Sequence, residues 1–310
     1  MNSIEVKNLT KKFGKFTSVD NISFDVKEGE VFGFIGANGA GKSTTIKMLC
    51  GILEPTGGDA LVGGYSIKKE SDKVKMHIGY MSQKFSLYGD LTVKENINFF
   101  SSVYGLSGGK LEERKKWVLN IAGIEDRKDS ITQTLSTGFK QRLALGCAVI
   151  HEPKIVFLDE PTGGVDPISR KNFWDLINEL SGEGITVFVT THYLDEAEFC
   201  NRIMMIDAGK IIAGGSPALL KEEFLSNHIV EIECSDTDKA MDSIDKEGFV
   251  KNTAYFGDKL HVTFADSDET LINERFRILK DDLGDKGIVI RKIEIIQPSL
   301  EDVFVNLLEK

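Results

Sequence analysis

The chain has 310 residues, 41% of them hydrophobic, which is enough to build the sizeable cores of two domains. Lys and Arg total 38 against 48 Asp and Glu, a formal charge of −10, and residues 226–310 alone hold 11 basic and 19 acidic residues. This balance excludes binding of nucleic acid or anionic lipid through the overall charge, so we expect no nucleic-acid partner and only local binding of polyanions.

The first residues and the cysteines indicate a cellular compartment. The start, MNSIEVKN, lacks the basic and apolar regions of a secretory signal, and no apolar run approaches the length of a membrane span. We therefore expect a soluble, cytoplasmic protein. Cys50, Cys147, Cys200 and Cys234 are isolated and lack metal-ligand spacing, as do the five histidines. Buried free thiols in a reducing compartment fit this pattern, and no structural zinc is expected.

The first predicted elements are two half-buried strands and a fully buried one. Residues 4–6 and 22–26 alternate apolar and polar side chains, as antiparallel strands with one wet face do. Residues 31–35 (VFGFI) are almost wholly apolar, which indicates a central parallel strand covered on both faces. This strand runs into a glycine-rich stretch, after which residues 43–50 predict a helix ended by Gly51.

The pattern between Gln83 and Glu152 is helical. Residues 111–122 place Trp117, Val118 and Ile121 on one stripe of a helix. The sequence therefore predicts a helical lobe inserted into the first domain.

Alternating strands and helices follow this lobe. Strand patterns return at residues 155–158 and 186–189, and residues 169–180 between them are helical. This alternation is typical of a parallel α/β sheet. A hairpin at residues 203–213, turning at Ala208-Gly209, is predicted to close the unit.

A second pattern begins after residue 225. It consists of a strand, a helix, a hairpin, a helix, a strand and a last helix, at residues 228–234, 236–246, 252–264, 269–283, 288–296 and from 299 onward. This β-α-β-β-α-β order is a split βαβ arrangement, which predicts a small ferredoxin-like α+β domain. We therefore expect two domains, residues 1–225 and 226–310.

The glycine-rich stretch has the pattern of a phosphate-binding loop. Residues 36–43 (GANGAGKS) fit G-x-x-x-x-G-K-[ST] between a buried strand and a helix. In such a loop the backbone N–H groups converge on the β-phosphate, Lys42 bridges the β- and γ-phosphates, and the Ser43 hydroxyl ligates Mg²⁺. The predicted nucleotide-binding residues are Gly36, Asn38, Gly39, Ala40, Gly41, Lys42, Ser43 and Thr44. The loop alone does not separate a GTPase, a kinase and a motor ATPase.

A pair of acids follows the next buried strand pattern. Asp159 and Glu160 come directly after residues 155–158. Carboxylates at the tip of a strand beside a phosphate loop can hold Mg²⁺ and polarise an attacking water. A helix start or a solvated turn would account for the same pair.

A second anion site is predicted in residues 135–142 (LSTGFKQR). Ser136 and Gly138 lead into a helix whose free N–H groups and dipole suit a phosphate. An ordinary helix capped by Ser136 would give the same pattern. Because the first loop already holds the chain's own nucleotide, this site makes most sense facing a nucleotide bound by another copy.

Together these segments resemble the nucleotide-binding subunit of ABC transporters over about the first 225 residues. Residues 36–43 resemble the Walker A motif, residues 155–160 the Walker B motif with its catalytic glutamate, and residues 135–139 the family signature. The resemblance implies a P-loop ABC-type ATPase core with an antiparallel β subdomain and an inserted helical subdomain. ATP and Mg²⁺ are its implied ligands.

The resemblance also assigns roles to single residues. Gln83 looks like the Q-loop glutamine, His192 like the switch histidine, Asp166 lies in a D-loop-like segment, and Phe13 matches the aromatic that stacks on adenine. The implied catalytic residues are Glu160, His192, Gln83 and Lys42. The implied metal ligands are Ser43, Gln83 and Asp159.

This chain departs from the family pattern at two places. The usual signature is LSGGQ, whereas here Thr137 and Phe139 replace a glycine and the glutamine. Similar variants occur among ABC-2 type exporters, so we expect the function to be retained. Gly163 stands where the D-loop usually begins with serine, which is expected to weaken one contact across the dimer.

The resemblance implies partners as well. Two copies, or this chain and a second ATPase, would pack head to tail with ATP between them, and a separate membrane permease would carry the substrate. Residues 84–88, with Phe85 and Tyr88, lie where the family binds the permease, although packing inside the helical lobe would account for them too. Membrane association is expected only through that permease. Residues 226–310 resemble the C-terminal extension of ABC-2 exporter ATPases, with an interaction or a plain stabilising role.

One competing function is excluded by the sequence, and two others remain as alternatives. A small GTPase would need an N-K-x-D or T-K-x-D element, and the sequence contains none. A soluble ABC ATPase acting on ribosomes or DNA would usually carry two cassettes or long coiled coils, and this sequence has one cassette and no heptads. An ATP-sensing regulatory subunit would not need Glu160 and His192.

Overall fold

The computed structural model describes residues 1–83, 87–224, 229–265 and 268–308. The chain divides into two units, Met1–Gly214 and Gly215–Lys310. The predicted boundary at residues 225 and 226 lies outside the described residues and stays a prediction. Residues 217–224 fall inside the predicted first domain. In the structure they form the helix Pro217–Phe224, which groups with the second unit.

The first unit contains ten strands and six helices among its described residues. The strands are β1 (Asn2–Phe13), β2 (Phe16–Lys27), β3 (Val31–Ile35), β4 (Gly57–Val62), β5 (Tyr65–Ser66), β6 (Ile78–Met81), β7 (Ile155–Asp159), β8 (Thr186–Thr191), β9 (Arg202–Asp207) and β10 (Lys210–Gly215). The helices are α1 (Lys42–Leu49), α2 (Ser71–His77), α3 (Val93–Val103), α4 (Gly108–Ala122), α5 (Thr137–Ala148) and α6 (Pro167–Gly182). Short 3-10 helices lie at Glu125–Arg127, Thr132–Thr134 and Glu196–Phe199.

Two sheets form the framework of this unit. An antiparallel sheet has the strand order β2-β1-β4-β5, and a six-stranded sheet has the order β10-β9-β3-β8-β7-β6. The neighbours of β3, β7 and β8 in the second sheet run parallel. Every residue of β3, β7 and β8 is buried, which confirms the central parallel strands expected from their apolar composition.

An aromatic cluster fills the core of this unit. The ring of Phe188 on β8 lies 5.4 Å from Phe32, 5.6 Å from Phe34 and 5.5 Å from Phe157, measured between centroids. Phe24, on β2 of the antiparallel sheet, stacks on Phe32 at 5.6 Å. The tilted rings join both sheets into one core, so the ends of β3, β7 and β8 have a rigid support.

The helical lobe is confirmed. Helices α3, α4 and α5 pack around a cluster that includes Ile97, Val118 and Leu143. Helix α3 begins with a capping box, in which Thr92 accepts a hydrogen bond from the backbone of Glu95 and the Glu95 carboxylate accepts one from the backbone of Thr92. None of the helices in the described part of the chain has the length and apolar composition that crossing a bilayer requires.

The second unit has the predicted split βαβ order. Its elements are α7 (Pro217–Phe224), β11 (Ile229–Cys234), α8 (Thr237–Ile244), β12 (Val250–Phe256), β13 (Lys259–Phe264), α9 (Ile272–Asp285), β14 (Ile290–Ile296) and α10 (Leu300–Leu308), with a 3-10 turn at Glu269–Leu271. The antiparallel sheet has the order β12-β13-β11-β14, as in ferredoxin-like domains. Helices α8 and α9 cover its apolar face through a core that includes Val230, Val262 and Leu279.

Candidate active site

The phosphate loop connects β3 to α1 at the carboxyl end of the parallel sheet. Gly41 has a φ of +111°, and a Cβ there would lie 2.5 Å from the carbonyl oxygen of Ser18. A Cβ at Gly36 would lie 2.1 Å from the carbonyl oxygen of Ile206. Both positions therefore require glycine, the first for its backbone angle and the second for the close approach of β9.

Lys42 is the first residue of α1, and its side chain turns back over the loop. Its Nζ donates hydrogen bonds to the carbonyl oxygens of Gly36 at 2.8 Å and Ala37 at 3.1 Å. The same ammonium lies 3.1 Å from Oε1 of Glu160, and both side chains are at least 92% buried. The cation is thus held between the loop and the end of β7, where a phosphate would replace the carbonyl and carboxylate contacts.

Asp159, the last residue of β7, faces the helix side of the loop. Its Oδ1 accepts hydrogen bonds from the Ser43 hydroxyl at 2.9 Å and from the Thr190 hydroxyl of β8 at 2.8 Å. The thiol of Cys50, at the end of α1, has its pKa raised well above the usual range by burial and by the charge of Asp159. Cys50 therefore stays a neutral thiol.

Glu160 lies at the centre of the predicted catalytic group. Gln83 donates through Nε2 to Oε2 of Glu160 at 3.0 Å, and Nδ1 of His192 lies 3.2 Å from the same oxygen. The backbone N–H of Glu160 donates to the carbonyl and hydroxyl oxygens of Thr190, and its φ is +49°. The structure therefore brings Lys42, Gln83 and His192 around Glu160. Glu160 itself adopts a backbone conformation that non-glycine residues seldom adopt.

An open cavity lies above the loop. It is lined by Phe13, Phe16, Ser18, Asn38, Gly39, Gly41, Lys42, Ser43, Thr44, Gln83 and Glu160. The predicted aromatic Phe13 is 50% exposed at the tip of the β1–β2 hairpin, opposite Phe16, which is 62% exposed. Phe16 and Ser18 were missed by the sequence analysis. The pairing of Phe16 with Phe13 across the short hairpin turn would have indicated Phe16, whereas no motif indicates Ser18.

The second predicted anion segment lies outside this cavity. Ser136 is the exposed N-cap of α5, and its side chain makes no capping hydrogen bond. A Cβ at Gly138 would lie 2.7 Å from Oγ of Ser169, so α5 begins directly against α6. Asp166 caps α6 by accepting a hydrogen bond from the N–H of Ser169, and this bond lowers the pKa of Asp166. Ser136, Gly138 and Asp166 thus group with each other and not with the nucleotide cavity of the same chain.

Phe139, the unusual residue of the signature segment, is clamped by two cations. The guanidinium carbons of Arg127 and Arg142 lie 4.9 Å and 4.7 Å from the centre of its ring. The ring also packs against the apolar cluster of the helical lobe. Phe139 therefore points into the lobe. This departure from the family pattern leaves the Ser136 hydroxyl exposed.

The residues present fit a bound Mg²⁺. This ion prefers hard oxygen ligands, and the Ser43 hydroxyl and the Asp159 carboxylate are already within hydrogen-bond distance of each other. Gln83 lines the same cavity as Ser43, and its amide oxygen is not used when Nε2 donates to Glu160. This donor set suits a hard cation that also binds phosphate oxygens.

Comparisons with known proteins identify the family to which these motifs belong. The sequence model of the ABC transporter family matches residues 19–163. The chain is 34% identical to the linearmycin resistance ATP-binding protein LnrL of Bacillus subtilis, over 98% of this chain and 97% of that protein. It is 35% identical to the daunorubicin/doxorubicin resistance ATP-binding protein DrrA of Streptomyces peucetius, over 98% and 92%.

A further relative is matched over part of its length. The chain is 54% identical to the probable multidrug ABC transporter ATP-binding protein YbhF of Escherichia coli over 220 residues, which are 71% of this chain and 38% of that protein. This chain therefore spans well under half of that relative.

Solved structures show the same fold. An ATP-binding subunit of an ABC transporter matches with a TM-score of 0.65 and 31% identity, over 71% of this chain and 92% of that one. A dimeric ATP-binding cassette in a post-hydrolysis state, bound to ADP and Pi, matches with a TM-score of 0.63 and 27% identity, over 69% and 98%. The chain belongs to the ABC transporter family and has the fold of its ATPase cassettes.

Proposed function

We propose that this chain binds ATP with Mg²⁺ and hydrolyses it to power export through a separate membrane permease. The observation that carries the proposal is the contact of Glu160 with Lys42, Gln83 and His192 at one end of the nucleotide cavity. Phosphoryl transfer requires mainly positioning and charge neutralisation, and this group supplies a cation, a base and two polar side chains.

Each residue has one role in the proposed reaction. Phe13 stacks on the adenine, and the N–H groups of residues 36–44 bind the phosphates. Lys42 leaves Glu160 and neutralises the β- and γ-phosphates. Glu160, freed from that ion pair, orients the attacking water and accepts its proton, while His192 contacts the γ-phosphate. Mg²⁺, held by Ser43, Asp159 and Gln83, would neutralise charge that develops on the phosphate oxygens.

A second copy, or a second ATPase, completes the site in this proposal. Ser136, Gly138 and Asp166 would face the γ-phosphate held by the partner. The Ser136 hydroxyl is exposed and makes no capping hydrogen bond, and α5 is a 12-residue helix. Both support this role, because the hydroxyl and the N–H groups at the start of the helix can donate to an anion. Hydrolysis removes the group that joins the two halves, so binding and hydrolysis would close and open the dimer.

The partner in the membrane would be a permease that binds the helical lobe. Tyr88 is 49% exposed and contacts Phe99, 41% exposed, edge to face at 4.7 Å. Two neighbouring exposed rings suit an apolar partner surface. Phe85, predicted for the same surface, lies outside the described residues. The names of the relatives, which refer to drug resistance, support export as the direction.

Glu160→Gln tests the proposal. The amide keeps the shape of the side chain but cannot accept the proton of water, so ATP is bound and not hydrolysed. With ATP and Mg²⁺, size-exclusion chromatography with light scattering is expected to show a dimer of this variant. Turnover should fall on the order of 10³-fold, which is within the range of rate enhancement that general base catalysis provides.

Glu179→Gln is a matched control, because it makes the same change at an exposed site on α6. It should hydrolyse ATP normally and show no nucleotide-trapped dimer. A Glu160→Gln variant that stays monomeric with ATP and Mg²⁺ would contradict the head-to-tail arrangement.

A further inference from the structure

Glu196 is a fully buried carboxylate close to the active site but outside it. It is the first residue of the 3-10 helix Glu196–Phe199, four residues after His192, and none of its surface is exposed. It is not among the residues that line the nucleotide cavity. A buried carboxylate costs stability unless it is hydrogen-bonded or paired, so the groups around it should be firmly held.

Three side chains satisfy this carboxylate. The Thr162 hydroxyl donates to Oε1 at 2.5 Å, and the Thr191 hydroxyl donates to Oε2 at 2.7 Å. The guanidinium of Arg170 lies 3.4 Å from Oε1 and also stacks on the ring of Tyr193 at 4.3 Å. Both threonines are 1% exposed, so their hydroxyls have no bulk water as an alternative partner.

These partners lie next to the residues of the proposed reaction. Thr162 follows the base Glu160 by two residues, Thr191 precedes His192, and Arg170 lies in the first turns of α6, which Asp166 caps. One carboxylate therefore connects the segment after Glu160, the His192 segment and the start of α6. In the sequence these contacts span 34 residues between Thr162 and Glu196.

We propose that Glu196 is a positioning residue for ATP hydrolysis, which holds Glu160 and His192 in their relative arrangement through the Thr162 and Thr191 hydroxyls. This inference rests on the roles proposed above for Glu160 and His192. It goes beyond them because Glu196 does not line the nucleotide cavity. A small displacement of a base from its water can lower a rate on the order of 10²-fold.

Paired substitutions at the threonines give the sharpest test, because they leave Glu196 in place. Thr191→Val and Thr162→Val keep the shape of the side chain and remove the hydroxyl donor. Thr191→Ser and Thr162→Ser keep the donor. We expect kcat to fall about 5- to 10-fold in each Val variant and to stay within about twofold in each Ser variant. The KM for ATP should change less than about twofold in all four, since the cavity is untouched.

Glu196→Gln tests the carboxylate itself. We expect kcat to fall about 10- to 100-fold, with the affinity for a fluorescent ATP analogue within about twofold of wild type. Glu198→Gln, an exposed glutamate in the same 3-10 helix, is the matched control and should hydrolyse ATP normally. Equal kcat values in the Val and Ser variants would overturn the proposal, even if Glu196→Gln failed to fold.

A double-mutant cycle separates positioning from a general structural role. If Glu196 acts through the His192 segment, Glu196→Gln should lower kcat less than about threefold in a His192→Ala background, against at least tenfold in wild type. Where His192→Ala itself lowers kcat, full additivity of the two changes would overturn positioning through the His192 segment. A lowered kcat in the Glu196→Gln variant, together with a wild-type kcat in the His192→Ala variant, would refute the role of His192 and support positioning through Glu160. A wild-type kcat in the Glu196→Gln variant, together with a lowered kcat in the His192→Ala variant, would refute the positioning role of Glu196 and leave the role of His192 intact.

Discussion

Lys42 and Ser43 are neighbours in the sequence, and they contact neighbouring acids at the end of β7. Lys42 pairs with Glu160, whereas the hydroxyl of Ser43 donates to Asp159. The start of α1 and the end of β7 are thus joined twice, once by an ion pair and once by a neutral donor. This arrangement separates the proposed roles, because the acid beside Ser43 suits a metal and the acid beside Lys42 suits a base.

Ser43→Ala tests the metal side of this division. Removing the hydroxyl takes away one proposed oxygen ligand, while Asp159 keeps its hydrogen bond from Thr190. We expect turnover to fall on the order of 10²-fold and the Mg²⁺ concentration at half-maximal rate to rise. Ser43→Thr keeps the hydroxyl and should retain most of the activity. An alanine variant with an unchanged Mg²⁺ titration would show that Ser43 is not a ligand.

Motifs predicted the residues proposed to bind phosphate and Mg²⁺, but not the side chains that contact them. Lys42, Ser43 and the two acids belong to patterns of fixed spacing, so the sequence was sufficient to predict them. Thr190 lies in β8 and Glu196 after it, and neither belongs to a motif of fixed spacing. Their partners on and after β7 are about thirty residues away in sequence and come close only because β7 and β8 are parallel neighbours.

A buried acid helps to anchor helix α10 to its sheet, beside a hydrogen bond from Asn306 to Thr263 on β13. The backbone N–H and hydroxyl of Ser299 donate to Oδ2 of Asp302, and Nδ1 of His261 on β13 lies 2.7 Å from Oδ1. Burial by itself raises the pKa of Asp302, but the hydrogen bonds from His261 and Ser299 outweigh it and hold the pKa below its usual range. The same carboxylate therefore caps α10 and fixes it to β13.

Asp302→Asn should loosen α10. The amide loses the charge that pairs with His261, at a cost of about 1–3 kcal/mol for a buried charged hydrogen bond. Because the folded pKa of Asp302 is lowered, the wild-type contribution is present above the ordinary aspartate pKa of about 3.9 and is lost as the pH falls below it. Hydrogen exchange of peptides from residues 300–308, followed across this pH range, measures the loss.

Glu301→Gln is the neighbouring control, since Glu301 is exposed on the same turn of α10. It should leave the exchange of this helix unchanged at every pH. In Asp302→Asn the exchange should be faster at neutral pH and less dependent on acid. If wild type and Asp302→Asn exchange alike at neutral pH, the acid does not anchor the helix.

Elements with strong periodicity were predicted within a few residues of their observed bounds. The predicted strand at residues 31–35 is β3, and the helix predicted at residues 169–180 is α6, which the Asp166 cap and Pro167 extend at its start. Helix α2 was missed because Val74 is its one buried residue, so it has no apolar stripe. Strands β4 and β5 lie at and after a Pro- and Gly-rich stretch that resembles a loop. Strand β4 pairs with β1, which is a long-range contact, and β5 pairs with β4.

Each of the two units has its own apolar core. The first unit encloses the aromatic cluster around Phe188, and the second encloses the cluster around Val262. Helix α7 contacts α10 and buries Leu220, which is 3% exposed, within the second unit. A division after residue 225, as predicted, would therefore separate α7 from α10. The sequence does not reveal this contact, because the short apolar run of α7 does not show which neighbour covers it.

Two truncated chains test this division. A chain of residues 1–214 keeps its own core, so we expect a cooperative thermal transition and normal binding of a fluorescent ATP analogue. A chain of residues 1–225 keeps α7 without α10 and exposes Leu220, so it should be less soluble and aggregate on heating. In a Glu160→Gln background, light scattering of residues 1–214 with ATP and Mg²⁺ also tests the proposed interaction role of the C-terminal unit. That role predicts a weaker dimer than the full chain forms, whereas an equally stable dimer would leave the unit with a function other than dimerisation.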